Sequence, residues 1–344
     1  MSRSPLILCI KPQACPQQPF LILQQDGVLV RGHEVIPGAR RTLEFLSGDN
    51  PFAAHFPFIL LTNGGGDLEA TKCKKLSDLL EFPIDESRLI QSHTVLKPLA
   101  NRYWDKNVLV LGGKRDTGRR IAESYGFRNV FIPMDFFAWN PSIWPLGAEF
   151  VNDDDLALTK KCNFDHTPIA AIFVLHDPRP SWFLEIQVLT DVLRNQYCSD
   201  QPAPELVFTN PDLVWRGHFH RVRLGQGAFR DAFQAVYRSL EGGEYPYKQY
   251  GKPTKETYDY AKSMLAGLVK SSHGQPEDTQ YYMIGDNPES DIAGANGAGW
   301  NSILVDTGVY DRAKGPPTHA PTYFAPDVQA AIRLAFDQEV LQTQ

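Results

Sequence analysis

The sequence predicts an α/β fold built on mostly parallel sheets. Short apolar runs typical of buried strands alternate along the chain with longer stretches of helical spacing. Alternating strands and helices form βαβ units, whose parallel sheets are covered on both faces. With 344 residues and 42% apolar content, the chain is long enough for two domains or for one domain with a large insertion.

The strand-like segments can be followed from the N-terminus. The first is the apolar run that begins at Phe20 and stops at a small-residue turn carrying Asp26. The second lies in FPFILLTNGGG, Phe56 to Gly66, where a buried strand ends in a polar turn, and Leu68 to Leu80 then has helical spacing. Five more follow, most with a helix-compatible stretch between them: Val108 to Gly113, Asn129 to Met134, Ala170 to Asp177, Glu205 to Asn210 and Tyr281 to Asn287.

One stretch does not fit this alternation. It runs from Phe131 to Pro145, is rich in aromatic residues and interrupted by proline, and is followed by Asp153, Asp154 and Asp155. We expect it to be a surface excursion between two units. A metal site on the three aspartates is disfavoured because no histidine or partner turn accompanies them.

Charge and cysteine content narrow the class of protein. A formal net charge of −6 argues against a nucleic-acid or anionic-membrane partner. No apolar stretch approaches the roughly 18 to 20 residues needed to span a bilayer. The five cysteines are scattered and lack C-x-x-C spacing, which favours a reducing, intracellular compartment and argues against zinc.

The N-terminal residues leave the compartment open. Residues 1 to 19 contain Arg3 and Lys11 and no acidic residue, which is compatible with a mitochondrial presequence. The same residues are dense in proline and glutamine and show no amphipathic period, which equally indicates a disordered or poorly defined tail in a cytoplasmic protein.

Polar motifs follow two of the early strands. Asp26-Gly27 after an apolar strand is, taken alone, no more than a turn. Thr62-Asn63-Gly64 offers a hydroxyl, an amide and a glycine-rich run of backbone N–H groups, a set suited to holding a phosphate. The same triplet is equally typical of a helix N-cap.

Two further motifs lie towards the C-terminus. Gly251-Lys252-Pro253 precedes a helix predicted to begin near Thr254, whose N-terminus would lie beside the lysine. Gly285 to Asp291 closes a strand with two carboxylates five residues apart, Asp286 and Asp291. Such carboxylates suit an oxygen-preferring cation, Mg²⁺, better than zinc.

In this order, the four motifs resemble those of the haloacid dehalogenase (HAD) superfamily. The fuller strings DGVLVRG, LLTNGGG, TNPDLVW, GQGAF, YGKP and IGDNPESDIAGAN resemble its subfamily IIA, and the chain is similar to the cat eye syndrome critical region protein 5 family of hydrolases. The resemblance extends from about residue 20 to the C-terminus.

The resemblance implies a Rossmann-like core, a parallel sheet in a three-layer sandwich, with an inserted α/β cap of the C2 type. The core would comprise residues 20–87 and 248–344 and the cap residues 88–247, after a disordered or incorrectly assigned tail at 1–19. The cleft between core and cap would hold a small phosphorylated molecule, and a homodimer could form through the cap.

The resemblance also assigns roles to individual residues. Position 24 would hold an aspartate nucleophile that forms an aspartyl-phosphate, and Asp26 would be the general acid and base. Thr62 would hold the transferring oxygens and Lys252 would neutralise charge. The implied substrate-binding residues are Asn63, Gly64 and Asn210, and the implied Mg²⁺ residues are Asp26, Asp286 and Asp291.

Gln24 departs from this pattern at the first chemical step. A carboxamide oxygen still coordinates a hard cation, but it carries no charge and is a very poor nucleophile toward phosphorus. Removing a nucleophile lowers turnover by orders of magnitude, on the order of 10⁶ in subtilisin. The sequence therefore predicts an HAD-like, Mg²⁺-dependent phosphatase whose activity by the aspartyl-phosphate route is doubtful.

Three explanations for Gln24 remain open. In the first, the chain is a catalytically inactive protein that binds or senses a phosphorylated ligand. In the second, residues 1 to 25 are not the native N-terminus and derive from an unspliced intron. In the third, the substitution preserves weak metal-dependent hydrolysis by direct attack of water.

A nucleotide triphosphatase is disfavoured. Gly112-Gly113-Lys114 resembles part of a P-loop, but Arg115 stands where serine or threonine is required and Val108 where the first glycine should be.

Overall fold

The computed structural model describes residues 18–178, 182–198, 202–215, 219, 221–270 and 279–342. The predicted tail therefore lies, but for its last two residues, outside the described part of the chain. Within that part, no helix combines the length and the apolar character that a bilayer crossing requires.

The described residues contain fifteen strands. In chain order they are β1 Phe20–Leu23, β2 Val30–Arg31, β3 Glu34–Val35, β4 Phe58–Leu61, β5 Leu89–Ile90, β6 Asn107–Gly113, β7 Asn129–Phe131, β8 Ala171–Pro178, β9 Glu205–Phe208, β10 Val214–Trp215, β11 Arg223–Leu224, β12 Tyr247–Gln249, β13 Tyr281–Gly285, β14 Asn301–Val305 and β15 Tyr323–Ala325.

Eleven α-helices lie in the same described ranges. They are α1 Ala39–Leu46, α2 Glu69–Leu80, α3 Ala100–Tyr103, α4 Thr117–Ser124, α5 Pro133–Trp139, α6 Asp153–Leu156, α7 Trp182–Leu193, α8 Gln226–Glu241, α9 Lys255–Lys270, α10 Ala293–Gly297 and α11 Val328–Gln342. A π-helical turn, Pro288–Ile292, precedes α10.

The chain divides into two compact units. The first unit comprises Met1–Leu61, Lys75–Arg88 and Ala261–Gln344, and the second comprises Thr62–Lys74 and Leu89–Tyr260. Relative to the predicted core and cap, residues 62–74 and 248–260 belong here to the second unit, and Arg88 belongs to the first.

Five strands of the first unit lie side by side in the order β15, β14, β13, β1, β4, and all their pairings are parallel. β1 is central, and its four residues are at most 2% exposed. An unbroken apolar run is what a strand needs when both faces of a parallel sheet are covered. Helix α11 packs on β13, β14 and β15. Its Phe336 also contacts the rings of Phe45, on α1, and Phe56, before β4, edge to face.

The second unit contains a parallel sheet with the order β12, β9, β8, β6, β7. Alternate residues of its strands enter different apolar cores, as the two-residue period of a strand requires. Leu109 and Leu111 pack with α5, α7 and α8, whereas Val108 and Val110 pack with α3 and α4. The sheet therefore lies between two helical layers.

These units confirm the predicted α/β class with parallel sheets. Each predicted strand segment contains a strand of the structure, and Leu68 to Leu80 corresponds to α2.

The expected surface excursion at Phe131 to Pro145 is wrong. Residues 133–139 form α5, and Phe136, Phe137 and Trp144 are only 1%, 5% and 6% exposed. Proline at the first position of a helix needs no hydrogen-bonded N–H, so Pro133 begins α5 where the sequence suggested a break. The aromatic residues fill the apolar core beside β6.

Candidate functional site

In the first unit, Gln24 directly follows the central strand β1. Its backbone N–H donates to the carbonyl oxygen of Ile284 at 2.9 Å, which continues the register of β1 with β13. The residue is half-buried. Position 24, where the resemblance implies a nucleophile, therefore lies at the carboxyl end of a central parallel strand, where open α/β sheets bind ligands.

Asp26 lies in the tight turn that follows. The N–H of the next residue, Gly27, donates to the carbonyl of Val30 at 2.7 Å, and Asp26 itself forms an isolated bridge with Val30. Gly27 has a φ of +82°, and a Cβ there would lie 2.3 Å from Oδ2 of Asp286. Glycine is required because only hydrogen leaves room for that carboxylate.

The Asp286 carboxylate is buried between two glycines. It is 3% exposed, and its Oδ2 accepts the backbone N–H of Val309 at 2.7 Å. A Cβ on Gly308 would lie 2.0 Å from the same oxygen, as one on Gly27 would from the other side. These contacts fix the carboxylate at the end of β13.

Asp291 has a supporting position on the π-helical turn. It is fully buried, and its Oδ2 accepts the backbone N–H groups of Asp286 at 3.0 Å and of Asn287 at 3.1 Å. The carboxylate thereby holds the backbone that carries Asp286.

The donor set of the first unit can be tested against Mg²⁺. No group of three or more His, Cys, Asp or Glu side chains able to hold a metal occurs among the described residues. The groups near this end of the sheet that the resemblance and the chemistry of Gln24 offer to a cation, which are the Asp286 carboxylate, the Asp26 main-chain carbonyl and the Gln24 carboxamide, are all oxygen donors, and one of them is charged. Such a set fits a hard, hydrated cation and not a soft one.

In the second unit, Thr62 and Asn63 begin the glycine-rich turn that follows β4. They are 1% and 3% exposed. The Gly64 N–H donates to the Thr62 hydroxyl at 2.9 Å, and the Gly64 carbonyl accepts the N–H of Ser92 at 3.2 Å.

Asn63 connects this turn to the lysine motif. Its Oδ1 accepts the backbone N–H of Lys252 at 2.8 Å, and its Nδ2 donates to the Lys252 carbonyl at 3.0 Å. The Asn63 carbonyl in turn accepts Nδ2 of Asn210 at 2.9 Å. These bonds give Asn63 and Asn210 a positioning role, and their predicted contact with substrate stays a prediction.

Lys252 is fully buried at the start of the segment that leads into α9. The preceding Gly251 has a φ of +92°, and a Cβ there would lie 2.3 Å from the Thr209 carbonyl oxygen. The Gly251 N–H donates to the Thr257 hydroxyl at 3.0 Å. The sequence prediction of a helix near Thr254 is confirmed, since α9 begins at the next residue.

Sequence reasoning missed a buried polar network behind the glycine-rich turn. The Tyr125 hydroxyl donates to Oε1 of Glu69 at 2.5 Å and lies 2.7 Å from Nδ1 of His93. Because that hydroxyl already donates its proton, Nδ1 of His93 must donate to it. A Cβ on Gly65 would lie 2.8 Å from Cδ2 of His93, so the turn packs directly on the imidazole.

Burial lowers the pKa of His93 to about 4, so the imidazole is neutral at pH 7. No motif joins His93 to Glu69 or Tyr125 along the sequence, and only tertiary structure reveals the network.

The structure thus brings the predicted residues together as two sets. Gln24, Asp26, Asp286 and Asp291 form one set in the first unit, and Thr62, Asn63, Gly64, Asn210 and Lys252 form the other in the second unit.

Two family models match the chain. The one described as haloacid dehalogenase-like hydrolase matches residues 21–128, and the one described as HAD-hydrolase-like matches residues 249–331.

Two named relatives match most of the chain. A mitochondrial hydrolase of Saccharomyces cerevisiae is 34% identical over 342 residues, covering 89% of this chain and 92% of that protein. A cardiolipin synthase (CMP-forming)/mitochondrial hydrolase fusion protein of Schizosaccharomyces pombe is 38% identical over 324 residues, covering 92% of this chain and 52% of that protein. The chain therefore spans about half the length of the fusion protein.

Solved structures share the fold. A possible sugar phosphatase of the HAD superfamily from Cytophaga hutchinsonii has a TM-score of 0.65 at 16% identity, over 91% of this chain and 94% of that one. A glycerol phosphate phosphatase from Mycobacterium tuberculosis, in complex with magnesium, has a TM-score of 0.62 at 16% identity, over 92% of this chain and 76% of that one.

Proposed function

Because the chain belongs to the haloacid dehalogenase-like hydrolases, subfamily IIA, we propose that it binds the phosphoryl group of a small phosphorylated molecule with Mg²⁺. We further propose that this protein does not hydrolyse the bound group by the aspartyl-phosphate route. The observation that carries the second part is a carboxamide, Gln24, at the end of central strand β1.

The roles of the other residues follow from their chemistry. The Thr62 hydroxyl and the backbone N–H groups of the glycine-rich turn bind phosphoryl oxygens. Lys252 supplies positive charge, and Asn63 holds the Lys252 backbone through two hydrogen bonds.

Mg²⁺ would be held by the Asp286 carboxylate, the Asp26 main-chain carbonyl and the Gln24 carboxamide, with Asp291 supporting Asp286. When bound, the ion neutralises phosphoryl charge. With a single anionic ligand in this set, we expect weaker Mg²⁺ retention than in a protein with aspartate at position 24.

The experiment is phosphate binding measured by calorimetry in the presence of Mg²⁺, together with turnover of p-nitrophenyl phosphate. We expect saturable binding of inorganic phosphate and turnover at the buffer background. Thr62→Val should weaken phosphate binding, since it removes one of the turn's oxygen-binding groups.

The matched control is Thr190→Val. Thr190 is also a buried threonine, 4% exposed, but its hydroxyl has no hydrogen-bond partner among the described residues, so phosphate binding should not change. Robust turnover that Asp26→Asn abolishes would refute the inactive assignment, and phosphate affinity equal in the two valine variants would refute the role of Thr62.

We also propose a mitochondrial location, because two relatives carry that word in their names. Imaging of the full chain with a C-terminal fluorescent tag tests it, and a diffuse cytoplasmic signal would contradict it. The predicted homodimer through the cap stays a prediction.

A further inference from the structure

The second unit contains a cavity of about 680 Å³. It lies at the carboxyl end of β6, where the Gly112-Gly113-Lys114 turn and the starts of α5 and α7 meet. The volume falls in the range of about 300–1,000 Å³ that is typical of small-molecule sites. Its lining includes none of the residues assigned above to the phosphoryl group or to Mg²⁺.

One wall of the cavity is apolar. It is formed by Ile132, Pro133, Met134, Trp144 and Leu184. The indole of Trp144 is held in place by close packing, since the residue is 6% exposed and a Cβ on Gly147 would overlap its ring at 1.8 Å. An aromatic face of this kind accepts both apolar groups and cations.

Glu185 is a buried acidic residue of the cavity lining. The residue, on α7, is 9% exposed and lines the cavity, and its Oε2 has no hydrogen-bond partner among the described residues. Burial raises the pKa of the carboxyl to about 8, so the group is largely protonated at pH 7 and gives up its proton when a cation pairs with it. A buried carboxyl without a partner is costly, so an occupant that pairs with it would gain what the protein alone does not supply.

The charges around the cavity favour a cation over an anion. The lining has four acidic side chains and two basic ones, which are Asp116, Asp154, Asp155, Glu185, Lys114 and Arg115.

Arg115 already pairs with Asp155 at 2.9 Å and with Asp154 at 3.8 Å, so it is not available to hold an anion. Asp116 immediately precedes α4, places a negative charge at that helix N-terminus and pairs with Nε of Arg120 at 3.3 Å. A phosphate at the P-loop-like turn is disfavoured for the same reason.

We propose that this cavity binds a small organic cation, an amine carried on an apolar or aromatic body. The ammonium group pairs with Glu185, and the apolar body lies along the wall that contains Trp144. The positive charge of the ligand satisfies the one buried carboxyl of the lining, and the apolar wall excludes water from the pair.

The test compares three probes of similar shape by isothermal titration calorimetry on the full chain: 2-phenylethylamine, 2-phenylethanol and 3-phenylpropionate. The expected result is saturable one-to-one binding of the amine and binding of the alcohol and the acid that is weaker by roughly tenfold or more, since only the amine pairs with a buried carboxylate. Equal or tighter binding of the alcohol or the acid, or no binding of the amine, would overturn the proposal.

Two variants locate the binding. Glu185→Gln keeps the volume and removes the charge, and should weaken the amine by roughly tenfold or more. Asp154→Asn removes a rim carboxylate whose side chain is 86% exposed, and should change the affinity by less than about twofold. An unchanged affinity in Glu185→Gln would overturn the assignment.

A crystal structure of the unmodified chain soaked with 2-phenylethylamine provides a readout that does not depend on how the variants fold. Density for the amine beside Glu185 supports the proposal, and density elsewhere or none overturns it.

Discussion

At the scale of single residues, two buried glutamines differ in how their side chains are satisfied. Gln226 is fully buried, accepts the N–H groups of Thr209 and Asn210 at 2.9 and 2.8 Å, and donates to the Val174 carbonyl at 3.1 Å. Gln25 is 3% exposed; its Nε2 donates only a long hydrogen bond, 3.4 Å, to Oδ2 of Asp26, and its Oε1 has no partner among the described residues. An unsatisfied buried polar atom lowers the stability of the fold by about 1–3 kcal/mol. Removing the side-chain amide should therefore change the free energy of unfolding in opposite directions at these two positions.

We therefore expect Gln25→Met to raise the free energy of unfolding by about 1 kcal/mol and Gln226→Met to lower it by at least about 2 kcal/mol. Methionine has a similar length and no strong hydrogen-bonding groups. Urea denaturation of the two variants beside the parent measures the difference. A loss of stability in Gln25→Met as large as in Gln226→Met would contradict the assignment.

His93 gives a residue-scale prediction on pH. The pKa of His93 is about 4 in the folded chain and about 6.5 in the unfolded chain. Burial is the main cause of the lowering; Glu69 and Asp67 raise the pKa in part, and Lys97 lowers it further. Between these values the unfolded chain binds a proton that the folded chain does not, so stability falls as pH falls below about 6.5.

The expected contribution of His93 is a loss of about 2 kcal/mol between pH 7 and pH 5. Denaturation at the two pH values, for the parent and for His93→Gln, isolates it, because glutamine does not titrate. The parent should lose more stability than the variant over this interval. Equal losses would show that the folded imidazole titrates near its ordinary pKa.

At the scale of elements, the loops that follow β13 and β14 meet at Asp286. The N–H of Val309 donates to the carboxylate, and Gly308 packs so closely that a Cβ would overlap it. At Gly297, the last residue of α10, an added Cβ would meet no atom within 4 Å apart from near neighbours in the chain. The same substitution should therefore have opposite effects in these two places.

Gly308→Ala should lower the free energy of unfolding by about 1–3 kcal/mol, because overpacking forces the loop or the carboxylate to move. Gly297→Ala should be neutral or raise it by up to about 1 kcal/mol, since alanine restricts the unfolded chain. Thermal unfolding with and without Mg²⁺ measures both. Equal changes in stability in the two variants would contradict the close packing around Asp286.

Elements also decide how far the sequence could predict the structure. Unbroken apolar runs predicted β1 and β4, and the strand-end motifs predicted that Asp26, Thr62 and Asp286 follow strands, because both signals are local. The burial of Trp144 could not be predicted, since besides its near neighbours in the chain it packs on α7, which is distant in sequence. The contacts of His93 and the burial of Glu185 likewise depend on tertiary packing.

At the scale of the whole molecule, each unit has a parallel sheet of its own and retains its own set of predicted phosphoryl-binding or metal-binding residues. In one unit, the Asp291 carboxylate accepts the backbone N–H of Asp286. In the other, the Asn63 side chain accepts the backbone N–H of Lys252. Position 24, where the family resemblance implies the aspartate of the aspartyl-phosphate route, holds Gln24.

A single substitution should therefore install the missing chemistry. Gln24→Asp restores a carboxylate that serves as nucleophile and as a second anionic metal ligand, so we expect Mg²⁺-dependent p-nitrophenyl phosphate turnover to rise roughly 10³-fold or more above the parent. Gln24→Asn, matched in size but uncharged, should stay at the level of the parent. An aspartate variant that binds phosphate and Mg²⁺ yet turns over no faster than the asparagine variant would mean that other parts of the catalytic machinery are also missing.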